Sequence, residues 1–96
     1  MTWWDEQSDR RRAALSAVLD SARGQHCRDY AGGDRGFAAW LLVADLTCRR
    51  HIGVSIFDIA DWPWRTAYDD GQAPGDGLRD ALAADDTIAV LLGGLT

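Results

Sequence analysis

Residues 34–50 read DRGFAAWLLVADLTCRR. Phe37, Trp40, Leu41, Ala44 and Cys48 recur at three- and four-residue steps, so they share one face of a helix. Leu42, Val43 and Leu46 widen that face, which predicts that this helix is the central one. Arg49, Arg50 and His51 fall in its last turn, where positive charge complements the helix dipole. Gly53 then ends it. One residue breaks the pattern. Asp45 is a lone acid amid apolar neighbours, and if buried it needs a partner. An arginine or a helix N-terminus in the C-terminal half is the expected one.

Working outward toward the N-terminus, Thr2 and Asp5 have capping-box spacing and predict a helix start. Trp4, Leu15, Val18, Leu19 and Ala22 form an apolar stripe, and Gly24 suits the position just past the helix end. Residues 24–36, GQHCRDYAGGDRG, read as a loop. Toward the C-terminus, Ser55 and Asp58 repeat the capping-box spacing and mark a short helix or single turn. Asp61 before Trp62-Pro63-Trp64 predicts another start, since proline lacks the N–H left unsatisfied there. Trp64, Ala67 and Tyr68 share the inward face, and Gly71 closes this helix. A further helix opens at Pro74, with Leu78, Ala81 and Leu82 inward. It is expected to break near residue 84, because Asp85 would otherwise fall on the apolar face. Asp85 or Asp86 then caps a last segment, 87–92, read as helix because a lone strand has no partner. The fold expected is all-α: residues 1–96 as a small single-domain bundle of two longer helices and about three short ones.

Ninety-six residues suffice for one domain with a modest core. Five tryptophans therefore supply either the main packing elements or interface anchors. All ten basic residues are arginine, and all acids but Glu6 are aspartate. Codon bias in a GC-rich genome accounts for this, and points to a high-GC bacterium or to a phage or plasmid living in one. Residues 1–53 carry eight arginines against seven acids, and residues 54–96 carry two arginines against eight aspartates. The second half is thus strongly acidic. It repels nucleic-acid phosphates and favours a basic protein surface. No signal-peptide h-region is visible, and the longest uncharged apolar run, GFAAWLLVA, is too short to span a bilayer. Two cysteines without an export signal suggest free thiols and a cytoplasmic protein.

The chemistry-bearing residues are few. His26-Cys27 and Cys48-x-x-His51 hold all the histidines and cysteines. Cys48 and His51, three apart on a helix, are weak metal candidates. Their spacing with the other pair fits no zinc pattern, so neither metal nor other cofactor is expected. No oxyanion donors or orienting third group can be named for a Cys–His nucleophile, so an enzyme is not expected. Residues 68–77, YDDGQAPGDG, resemble a calcium loop only superficially, since the acids are adjacent and Gly77 stands where the bidentate glutamate belongs. Asp69 and Asp70 sit at the C-terminal end of a short helix, where the dipole disfavours them. Arg65, four residues earlier, can offset this, or a carboxylate can cap the next helix across Gly71.

From Trp40 to about Ala84 the chain resembles a type of small uncharacterised helical protein of phages, plasmids and bacterial genomes. The shared outline is carried by Trp40, Asp45, Gly53-Val54-Ser55, Asp58, Asp61, Trp64, Tyr68-Asp69-Asp70-Gly71, Pro74 and Ala81. It covers about half the chain and leaves residues 1–35 uncovered. The resemblance implies a mobile-element setting and a compact helical unit, with no activity attached.

The expected function is that of a non-enzymatic acidic accessory protein, which binds and modulates a host or phage protein. A defence-system inhibitor such as an anti-CRISPR protein is one form. DNA mimicry would require the C-terminal aspartates to lie free along one stripe. Candidate partner-binding residues are Trp62, Trp64, Asp69, Asp70 and Asp76, with Trp3 and Trp4 as further possible anchors. The alternatives are a DNA-binding regulator using Arg10, Arg11 and Arg12 with Arg49 and Arg50, and a minor metal-binding module.

Overall fold

The computed structural model describes residues 2–58 and 62–84. Five α-helices lie in this span: α1 (Asp9–Leu19), α2 (Gln25–Ala31), α3 (Arg35–Ile52), α4 (Trp64–Asp69) and α5 (Pro74–Ala84). Two single 3-10 turns, Ala22–Gly24 and Ile56–Asp58, complete the regular structure, and no strand occurs among the described residues. The all-α expectation holds. The division of lengths differs, because α1 and α5 have 11 residues each beside the 18 of α3, while α2 has seven and α4 six.

Helix α3 is central, as its sequence predicts, and packs against the other four helices. Its ends are set locally. Asp34 Oδ1 accepts from the Phe37 N–H at 3.1 Å, an N-cap. At the other end Gly53 takes φ 75°, and its N–H reaches the Arg49 carbonyl at 3.0 Å. Trp40, fully buried, anchors the core. Its ring lies 6.2–6.4 Å from those of Trp64, Phe37 and Tyr68. Its indole N–H donates to the Gln72 carbonyl at 2.8 Å, tying α3 to the α4–α5 connection. Helix α5 approaches this ring at Gly77, where a Cβ atom would stand only 2.8 Å from the indole.

The N-terminal third departs from expectation. Thr2 and Asp5 do form their reciprocal hydrogen bonds, at 3.0–3.3 Å. That turn closes on itself, however, with Gln7 Nε2 donating to the Trp3 carbonyl at 2.9 Å. Ser8 then caps a separate helix by accepting from the Arg11 N–H at 3.1 Å, so α1 starts at Asp9 and ends at Leu19. Gly24 is not a left-handed C-terminal residue. Its φ is −87°, and it is needed because a Cβ there would stand 2.1 Å from the Leu19 carbonyl oxygen.

Within residues 24–36, read as a loop, lies α2. Seven residues are too few for a stable isolated helix. Tertiary contacts hold it: Cys27 is buried against α3, and His26 stacks on Phe57 with ring centroids 4.0 Å apart. Gly32, at φ 63°, stops it. In the C-terminal half, Ser55 precedes the predicted single turn, Ile56–Asp58, and Pro63 stands just before α4 rather than inside it. The expected cap at Asp61 and the segment 87–92 lie outside the described residues.

Candidate functional site

Asp45, the anomaly of the central helix, is buried and fully engaged. Its Oδ1 accepts from Ser55 Oγ at 2.6 Å and from the Ile56 N–H at 3.0 Å. Its Oδ2 accepts from Arg49 Nε at 3.0 Å. The expected helix start in the C-terminal half is present, but the arginine is not from that half. The amide belongs to the start of the 3-10 turn, and the arginine comes from α3 itself. The cluster fixes the chain reversal after α3 onto that helix. Its closed hydrogen-bonding marks it as structural.

The sulfur and imidazole groups differ in exposure. Cys27 and Cys48 are buried free thiols, while His26 and His51 are exposed. Cys48 and His51 therefore do not share an environment. No group of three or more His, Cys, Asp or Glu side chains placed to hold a metal ion occurs among the described residues. Burial, reinforced by the Asp45 charge and partly offset by Arg49, pushes the Cys27 thiol up to about 11. Burial and Asp45 likewise raise Cys48. Both thiols are thus protonated at neutral pH and poor nucleophiles.

The candidate partner-binding residues separate into two groups. Trp64 is 3% exposed and belongs to the core, which removes it as an interface anchor. The periodicity that placed it beside Ala67 and Tyr68 on the inward face had indicated as much. Trp62 is half-buried, as is Trp4, and Trp3 is buried. Asp69, Asp70 and Asp76 are exposed. Asp69 is neutralised by Arg65 Nε at 3.2 Å, and Arg65 also donates to Asp34 Oδ2 at 2.7 Å. The Arg65 guanidinium lies 5.1 Å from the Phe37 ring centroid. The unfavourable helix end at Asp69 is therefore compensated by an arginine held against the core, and among the described residues neither Asp69 nor Asp70 caps α5. Asp76 sits 3.9 Å from Arg79, and Asp80 accepts from Gln72 Nε2 at 2.8 Å.

The arginines divide in a way that sequence spacing does not show. Arg12, Arg35, Arg49, Arg65 and Arg79 each pair with a carboxylate. Arg28 donates to the Leu19 carbonyl at 2.7 Å. Among the described residues, Arg10, Arg11, Arg23 and Arg50 have no such side-chain partner. Three of these four line one surface feature. Arg11 and Arg50 border a cleft of about 370 Å³ between α1 and α3, with Leu15, Val43, Leu46 and Thr47. Arg23, Arg49 and Arg50 border the adjoining depression of about 550 Å³, with Asp45 and Leu46. Of the arginines expected to act together, the structure brings Arg11, Arg49 and Arg50 to this feature, and places Arg12 beside Asp9. Arg23 carries no sequence signal that links it to Arg50.

No protein-family model, curated protein or solved structure matches the chain. No helix among the described residues is long and apolar enough to cross a membrane.

Proposed function

We propose that this is a non-enzymatic acidic accessory protein that binds and modulates a host or phage protein, acting in the cytoplasm of a bacterium that carries it on a mobile element. Inhibition of a defence system, in the manner of an anti-CRISPR protein, is the concrete form this reading favours. The observation that carries it is the run of exposed carboxylates, Asp70, Asp76 and Asp80, from the end of α4 along α5. Their contacts with Arg79 and Gln72 lie at the surface, where ion pairs contribute little. The carboxylates thus keep their reach toward a basic partner, whose encounter they steer. The buried thiols are held neutral, which fits a reading that does not use them as nucleophiles.

The test compares the wild type with Asp70→Arg/Asp76→Arg/Asp80→Arg, each immobilised and challenged with lysate of a high-GC bacterium. Quantitative mass spectrometry should find a basic protein that the wild type retains, that salt releases, and that the reversed variant loses. Equal retention by both proteins overturns the reading.

A further inference from the structure

The basic cleft between α1 and α3 has a composition that selects one kind of ligand. On α3, Val43, Leu46 and Arg50 follow one another at three- and four-residue steps, and on α1 Arg11 and Leu15 are four apart. Both stripes line the same cleft. Leu15, Val43 and Leu46 are only half-buried, so the floor between the helices remains partly exposed. Helix α1 has a single buried residue, Leu19, which leaves its middle turns lightly covered. At the edge of this floor stand the cations Arg11 and Arg50, and Arg23 borders the adjoining depression; none of the three has a carboxylate partner among the described residues. Asp45 also borders the adjoining depression, but its charge is taken up by Arg49, Ser55 and Ile56.

We infer that this cleft is the docking site for an acidic amphipathic helix of a partner protein. An apolar stripe of such a helix covers Leu15, Val43 and Leu46, and its flanking carboxylates meet Arg11 and Arg50, in the helix-in-groove mode. Charge complementarity and the apolar floor together pick this occupant over a nucleic acid. A nucleic-acid polyanion gains the arginines but leaves the apolar floor of Leu15, Val43 and Leu46 uncovered, whereas an amphipathic acidic helix satisfies both. The inference rests on the reading of the protein as a protein-binding module and adds a second surface to it, separate from the α4–α5 carboxylates.

The experiment uses the full chain and a fluorescent peptide of about 18 residues, carrying leucine at i, i+3, i+4 and i+7 with glutamate on the flanks. The comparison ligands are a scrambled peptide of the same composition and a DNA oligonucleotide. The amphipathic peptide is expected to bind saturably, and the scrambled peptide and DNA at least about tenfold more weakly. Arg11→Ala/Arg50→Ala should weaken peptide binding about tenfold, whereas Arg79→Ala should leave it unchanged. All three side chains are exposed, and circular dichroism confirms that the variants fold. Absence of saturable binding, equal binding of the scrambled peptide or DNA, or no effect of the double variant overturns the inference. So does concentration-dependent self-association that the double variant abolishes, since it assigns the cleft to a second copy of this chain. Charge reversal of Asp70, Asp76 and Asp80 leaves the peptide result unchanged, so the two surfaces fail or succeed separately.

Discussion

Asp45 ties the segment after α3 back onto that helix. Its carboxylate receives three donors, two of them from the segment that follows α3. Replacing it with alanine leaves the buried Ser55 hydroxyl and the Ile56 amide without their acceptor. Hydrogen bonds to a charged group contribute about 1.5–3 kcal/mol each, and effects within one cluster are not additive. Asp45→Ala is therefore expected to destabilise the fold by about 2–4 kcal/mol, as read by urea denaturation. Asp45→Asn keeps the Oδ1 acceptor for Ser55 and Ile56, so it should cost less than half as much. The sequence exposes Asp45 as an anomaly, because a lone acid inside an apolar helix face demands a partner. Choosing Ser55 and Ile56 from the possible partners required the chain's actual path after Gly53.

Among the elements, α5 shows how a helix can contain two glycines with opposite roles. Gly75 has open space where its Cβ would be, whereas a Cβ on Gly77 meets the Trp40 ring at 2.8 Å. Gly75→Ala is expected to stabilise by about 0.4–1 kcal/mol, because it removes freedom from the unfolded chain only. Gly77→Ala is expected to destabilise by about 1–3 kcal/mol, since Trp40 is fully buried and cannot give way without displacing the core. Thermal melts of the two single variants check the opposite signs. Helix α3 was legible because its signals are dense and local: a wide apolar face, a basic last turn and a Gly53 stop. Helix α2 was not legible. Its sequence, QHCRDYA, presents a weak pattern between glycines, and the contacts that hold it come from Phe57 and α3.

For the whole molecule, Arg65 joins distant parts of the chain by pairing with Asp34 at the start of α3 and with Asp69 at the end of α4. Burial raises the Asp34 carboxyl, but the Phe37 N–H and Arg65 outweigh it and hold the group below its usual value. A carboxylate lowered on folding contributes stability above its unfolded value, near 3.9, and that contribution is lost as pH falls through the lower folded value. Wild type should therefore lose more stability than Asp34→Asn as the pH falls from about 5 to about 2. Asparagine keeps the helix cap without the titration. Urea midpoints measured across that range decide this, and parallel curves would contradict the coupling. By itself, the sequence determined the helical class, the central helix with both its ends, the inward face of α4 and the start of α5. These are written in periodicity, caps and glycines within a few residues of where they act. Tertiary structure alone decided that a presumed loop is α2, and that Arg11 and Arg50 meet at one cleft with Arg23 at the adjoining depression. Each of these depends on which distant residues come together, and packing around α3 sets that through contacts no local pattern encodes.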